Sequence, residues 1–104
     1  NMVMSKGKAE ELNIATWNVR GLSNKEYELE KELLRGNVDI ALISETKKKL
    51  KGSLELNNYL LFYSGLPQNK RAAAGTAILI NKRHRNRIHS YTFVNERLMN
   101  LRFK

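Results

Sequence analysis

The sequence has no cysteine, a single proline, and only 10 acidic side chains against 19 basic ones. Without cysteine there is neither a disulfide framework nor a thiolate zinc site. Small secreted domains usually depend on such staples, so an intracellular setting, nucleus or cytoplasm, is expected. No apolar run approaches the ~18 residues that span a bilayer, and the opening residues lack the ~7–15-residue apolar core of a signal peptide, so no membrane partner is expected. Internal repeats and low-complexity stretches are also missing. At 104 residues, 41% hydrophobic and 28% charged, the chain has ordinary globular composition and room for one domain or a piece of one.

What the sequence has in excess is positive charge. The net charge is +9, and it is unevenly spread. Residues 1–52 carry 10 basic and 8 acidic side chains, whereas residues 53–104 carry 9 basic and 2 acidic. Such an imbalance attracts polyanions, so DNA bound without sequence preference and in a salt-dependent way is the expected partner, held mainly by the second half.

Residues 1–11 read as a polar lead-in, with Asn1 ahead of Met2 resembling a vector remnant, and residues 12–104 as the domain. Residues 12–19 alternate large apolar with small or polar side chains, the pattern of a strand packed mainly on one face. Arg20-Gly21-Leu22-Ser23-Asn24 breaks it. From Lys25, Tyr27, Leu29, Leu33 and Leu34 stand at amphipathic-helix spacing, with Ser23 or Asn24 as N-cap, Gly36 past the end, and Glu28 and Glu32 able to pair with Lys25 and Lys31. Residues 38–43, interrupted only by Asp39, read as a strand buried on both faces, which makes the opening a strand-helix-parallel strand unit. Residues 59–63 and 75–80 read as further strands, and residues 88–103 as a hairpin turning at Asn95-Glu96. Trp17, Tyr59, Phe62, Tyr63, Tyr91 and Phe93 are expected in the core.

Two polar groups share one kind of position. Asn18 ends the first strand and Glu45 follows the second, and open α/β sheets build their sites outside the carboxyl ends of strands. An amide beside a carboxylate there can hold a hard, oxygen-seeking cation and a phosphate oxygen. Spacing alone equally allows Asn18 to close a turn and Glu45 to solvate a loop. The basic side chains Arg20, Lys47, Lys48, Lys70, Arg71, Arg83, Arg85 and Arg87 are candidate phosphate contacts, or plain solvated charge.

The motifs themselves resemble a known family. Ile14-Ala15-Thr16-Trp17-Asn18-Val19-Arg20-Gly21-Leu22 looks like the opening motif of the endonuclease/exonuclease/phosphatase superfamily, and Asp39-Ile40-Ala41-Leu42-Ile43-Ser44-Glu45-Thr46-Lys47 like its second. The likeness continues through residues 75–80 and 96–103 and is strongest to the AP-endonuclease-like enzymes of insect non-LTR retrotransposons. It implies an α+β fold, a two-layer β-sandwich flanked by helices, of which this chain would hold the first half: the strand-helix-strand opening and then a mostly antiparallel sheet. It also implies that Asn18 contacts metal-bound phosphate and nucleophile and that Glu45 is a ligand to Mg²⁺ or Mn²⁺. The family's later motifs, an Asn-x-Tyr segment, an Asp-x-Asn pair and a terminal Ser-Asp-His, have no counterpart here, and His84 and His89, in a basic outward-looking stretch, are not expected to replace them. The expectation is therefore the N-terminal half of a metal-dependent DNA endonuclease, inactive alone, with metal binding weak or absent. The rival is a catalytically silent nucleic-acid-binding or protein-interaction module. A half-sandwich should expose apolar strands such as residues 78–80 and 98–103 and self-associate.

Overall fold

A computed structural model describes residues 2–6, 12–67 and 74–104, with backbone alone at residues 3–6. The chain runs β1 (Met2–Lys6), β2 (Asn13–Asn18), α1 (Glu26–Arg35), β3 (Ile40–Ser44), β4 (Lys51–Glu55), β5 (Tyr59–Ser64), β6 (Thr76–Asn81), a 3₁₀ helix (Lys82–Arg87), β7 (Ile88–Asn95) and β8 (Leu98–Phe103). Strands one to six form a single sheet in the order β1-β2-β3-β6-β5-β4, and β7 and β8 pair separately. Only β2 and β3 are parallel, joined through α1, and every other pairing is antiparallel. The α+β class and the mostly antiparallel sheet are thus as the sequence implies.

Alternation along the strands decides what each face of the sheet carries. Ala15 of β2, Ala41 and Ile43 of β3, Ala77 and Leu79 of β6, and Tyr59 and Leu61 of β5 lie on one face. They form a single core with Leu29 and Leu33 of α1, and with Leu22, Val38 and Leu56, while Trp17 and Tyr63 pack at its margin. Leu29 and Leu33, four residues apart, are the helix's apolar stripe. Tyr27 and Leu34 fall off it and are exposed, contrary to the expectation that all four face inward.

The helix stops before Gly36 as expected, but its N-cap differs from expectation. Lys25 is the N-cap and no side chain caps the helix; Asn24 has φ +63° and serves the preceding turn instead. At the C-terminus Asn37, not Gly36, takes the left-handed conformation, φ +54°, and the Val38 N–H returns to the Leu33 carbonyl. Glu32 pairs with Arg35 and Glu26 with Lys48, in place of the intrahelical lysine pairs that spacing suggested.

The second face is covered only in part. The β7–β8 hairpin folds back over β5 and β6, where Phe62 meets Tyr91 with ring centroids 4.7 Å apart and Ser64 Oγ donates to the Asn95 carbonyl at 2.6 Å. Ile80 and Phe62 are therefore buried. This corrects the expectation that residues 78–80 lie open: Leu79 is in the core beneath α1, and the hairpin, read as part of the exposed surface, covers the other face at Ile80. Leu98 is exposed as expected, and so is Tyr91 on its outer side, which was expected in the core. Over β2 and β3 no element among the described residues covers the same face. Leu42 is 44% exposed, so β3 is buried on one side and not on both.

The lead-in contributes more than expected. Residues 2–6 pair with β2 from Met2 opposite Trp17 to Lys6 opposite Asn13, making β1 an edge strand. β4 and the 3₁₀ helix were not anticipated: Lys51-Gly52-Ser53-Leu54-Glu55 has little strand pattern and forms by pairing with the buried β5.

Candidate catalytic edge

Because β2 and β3 are parallel, their carboxyl ends lie side by side, with Asn18 opposite Ser44. The pairing continues into the loops beyond. Val19 N–H donates to the Ser44 carbonyl at 3.2 Å, Gly21 N–H to the Glu45 carbonyl at 2.7 Å, and Leu22 N–H to the Thr46 carbonyl at 2.7 Å. Those bonds bring Glu45 beside Asn18, and the Asn18 side-chain amide donates to a Glu45 carboxylate oxygen. The Asn18 carbonyl oxygen accepts from the Arg20 N–H at 3.2 Å, which fixes which way the amide points. Both side chains are exposed.

The backbone here is strained. Arg20 (φ +51°), Glu45 (φ +54°) and Lys47 (φ +57°) are all left-handed, each at a cost of about 1–2 kcal/mol for an L-residue. Such clusters persist only where surrounding contacts over-determine them, and they concentrate at functional sites. The over-determining contacts are identifiable. Thr46, fully buried between two of the strained residues, takes its N–H to the Gly75 carbonyl at 3.2 Å, and Lys47 N–H reaches the Ala74 carbonyl at 2.7 Å. Gly75 has φ +101°, and a Cβ there would stand 2.3 Å from Thr46 Oγ1. Glycine is required at this position so that the start of β6 can brace the loop that carries Glu45.

The basic candidates divide. Arg20 and Lys47 flank Asn18 and Glu45 on the two braced loops. Lys48 is nearby but engaged, 3.3 Å from Glu26 and over the Tyr63 ring at 4.9 Å. Lys70 and Arg71 lie outside the described residues. Arg83, Arg85 and Arg87 belong to the opposite end of the sheet, because β6 runs antiparallel to β3 and its carboxyl end adjoins the start of β3. There Arg83 pairs with Asp39, Arg85 with Glu55 at 2.8 Å, and Arg87 Nε donates to the Lys104 carbonyl at 2.8 Å.

That far end holds a cluster that sequence reading missed. Asp39, which merely interrupted an apolar run, is 3% exposed and accepts from the Asn13 N–H at 2.7 Å, from His84 Nε2 at 2.8 Å and from Arg83. Burial works against its charge, but the hydrogen bonds from Asn13, His84 and Arg83 outweigh it and hold the carboxyl below its ordinary 3.8. His84 is therefore tethered to a carboxylate and set edge-on to Phe103, with ring centroids 5.7 Å apart, and not a solvated surface histidine. The available signal was a lone acid in an apolar strand, since a buried carboxylate demands partners.

Among the described residues no three His, Cys, Asp or Glu side chains converge as a metal-ligand set. Nor is any helix there long and apolar enough to cross a membrane. No family model matches the chain. It is homologous to craniofacial development protein 2: 36% identical over 96 residues, 91% of its own length, to the protein of Bos taurus, and to the same extent to that of Tragulus javanicus. The chain spans about 16% of the length of these relatives, so the homology concerns one segment of a much longer protein.

Proposed function

We propose that this chain is the N-terminal half of a metal-dependent, phosphodiester-cleaving DNA endonuclease domain of the endonuclease/exonuclease/phosphatase superfamily, of retrotransposon type, and that it does not cleave DNA alone. The observation that carries the reading is the Asn18 amide bonded to the Glu45 carboxylate at the carboxyl ends of adjacent parallel strands, on a strained and braced backbone. The two family-like motifs thus converge at one point, as a shared site requires. The bare face of β2 and β3 is what a half-sandwich would present.

Glu45 and Asn18 suit Mg²⁺ or Mn²⁺ as far as they go. A hard cation of this size takes about six oxygens, commonly one or two carboxylates completed by water and substrate phosphate; of this pair Glu45 offers the carboxylate, while the Asn18 amide oxygen is turned to the Arg20 N–H. When bound, such an ion supplies Lewis-acid polarisation of a phosphoryl oxygen. The chain's own part is positional. Glu45 provides the charged ligand, and Asn18, held between Glu45 and the Arg20 N–H, presents an amide of defined orientation to the substrate. Among the described residues no histidine stands beside them: His84 is bonded to Asp39 at the far end, and His89 is the second residue of β7, just after the 3₁₀ helix. Loss of a positioned general base alone costs about 10²–10⁴ in rate, which supports inactivity of the isolated chain.

The test is nicking of supercoiled plasmid with Mg²⁺ by this chain, by a chain completed at its C-terminus to the size of a large single domain, about 130 residues more, and by the extended Glu45→Gln variant. Nicking by the extended protein alone is the expected result. Robust nicking by the 104 residues, or an inert extended protein, overturns the proposal.

A further inference from the structure

We propose that Arg20 and Lys47 form a two-cation clamp for a backbone phosphate of duplex DNA, flanking the position addressed by Asn18 and Glu45; this rests on the functional reading above and assigns its DNA track. The most conspicuous basic run of the sequence, residues 82–87, is largely taken up. Lys82 and Arg85 share Glu55 at 3.0 and 2.8 Å, Arg83 is bound to Asp39, and Arg87 bonds to the chain at Lys104. It also lies a full strand's length from Glu45. Arg20 and Lys47 differ on both counts. Both are exposed, and among the described residues no carboxylate lies within ion-pair distance of either.

Their placement is built and not incidental. The bonds from Gly21 to Glu45 and from Leu22 to Thr46 lock the two loops together. Lys47 Cδ lies only 3.8 Å from where a Gly21 Cβ would stand, so the lysine side chain lies against the loop that carries Arg20. Both residues take left-handed backbone on these joined loops. Two exposed cations carried on one braced surface suit a phosphate, whose oxygens can accept from both. The Arg20 N–H is itself bonded to Asn18, which puts the clamp two residues from the pair Asn18 and Glu45. Each DNA strand presents a charge every ~3.4 Å of helix axis, so a strand whose phosphate reaches Glu45 brings neighbouring phosphates to its flanks.

The experiment measures affinity of the 104-residue chain for a fluorescent duplex by anisotropy across a KCl series. Each phosphate no longer neutralised lowers the slope of log K against log[salt] by about 0.9, so Arg20→Gln/Lys47→Gln, which gives up the one clamped phosphate, should reduce its magnitude by about 0.9. Arg85→Gln/Arg102→Gln, an equal charge loss at the far end, should leave the slope unchanged, and Arg20→Lys/Lys47→Arg should retain it, which separates lost charge from lost folding. An unchanged slope in Arg20→Gln/Lys47→Gln, or an equal fall in the far-end variant, overturns the clamp. Release of duplex by inorganic phosphate at constant ionic strength would make the pair a free-anion site and overturn the assignment to duplex. The clamp can fail while the extended protein still nicks plasmid, and the slope can fall as expected while the extended protein stays inert, so the two readings fail separately.

Discussion

Asp39 shows how much a single side chain can organise. Its carboxylate joins the start of β3 to β2 through Asn13 and to the 3₁₀ helix through Arg83 and His84. Asp39→Asn keeps the shape but removes the charge that those donors complement. The expected loss is about 2–3 kcal/mol, the scale of hydrogen bonds to a buried charged group, measured by urea denaturation at neutral pH. The pH dependence follows from the direction of the shift. The native carboxyl titrates below its ordinary 3.8, so its stabilising contribution is complete above that value and is lost as pH falls through 3.8 towards the lowered native one. The wild type should therefore lose stability across that acid window more steeply than Asp39→Asn; parallel profiles would show that the carboxylate is not the group responsible.

Among the elements, α1 is held by one apolar stripe and one buried acid. Leu33 is fully buried against the sheet, and Leu33→Ala should cost about 2–5 kcal/mol. Glu30 is 3% exposed and accepts the Asn58 and Tyr59 N–H groups at 2.6 and 3.1 Å, joining the helix to the turn between β4 and β5. Glu30→Ala strands both donors and should cost about 2–3 kcal/mol in thermal or chemical unfolding. A loss below 0.5 kcal/mol in either variant, on the order of a neutral surface change, would mean that the helix is not docked as described. The helix stripe was legible in the sequence because Leu29 and Leu33 obey helical spacing. Glu30 was not, since an acid on a helix reads as solvent-facing until a tertiary neighbour offers it donors.

For the molecule as a whole, the uncovered face of β2 and β3 dominates expected behaviour. Leu42 stands exposed there among Ile14, Thr16 and Ser44, while the hairpin occupies the neighbouring half of the same face. Apolar sheet surface of this kind drives association. We expect the mass measured by light scattering to rise with concentration, and Leu42→Glu to shift it towards monomer. A monomer mass for the wild type throughout the range would show that the bare face is not adhesive.

The sequence by itself determined the strand-helix-strand opening, the hairpin, and the two motifs whose ends meet, because these depend on local periodicity, turn residues and short-range pattern. It also carried the likeness that gives Asn18 and Glu45 a chemical meaning. Which charges are available was decided only in three dimensions. Arg83, Arg85 and Arg87 look in sequence like the obvious basic patch, yet antiparallel pairing of β6 with β3 carries them to the far end and into contact with Asp39, Glu55 and Lys104. The same pairing sets Gly75 against Thr46 and braces Arg20, Glu45 and Lys47 in left-handed backbone at the near end. Charge is written residue by residue, but its partners come from strand order and register, which join residues as far as 45 positions apart.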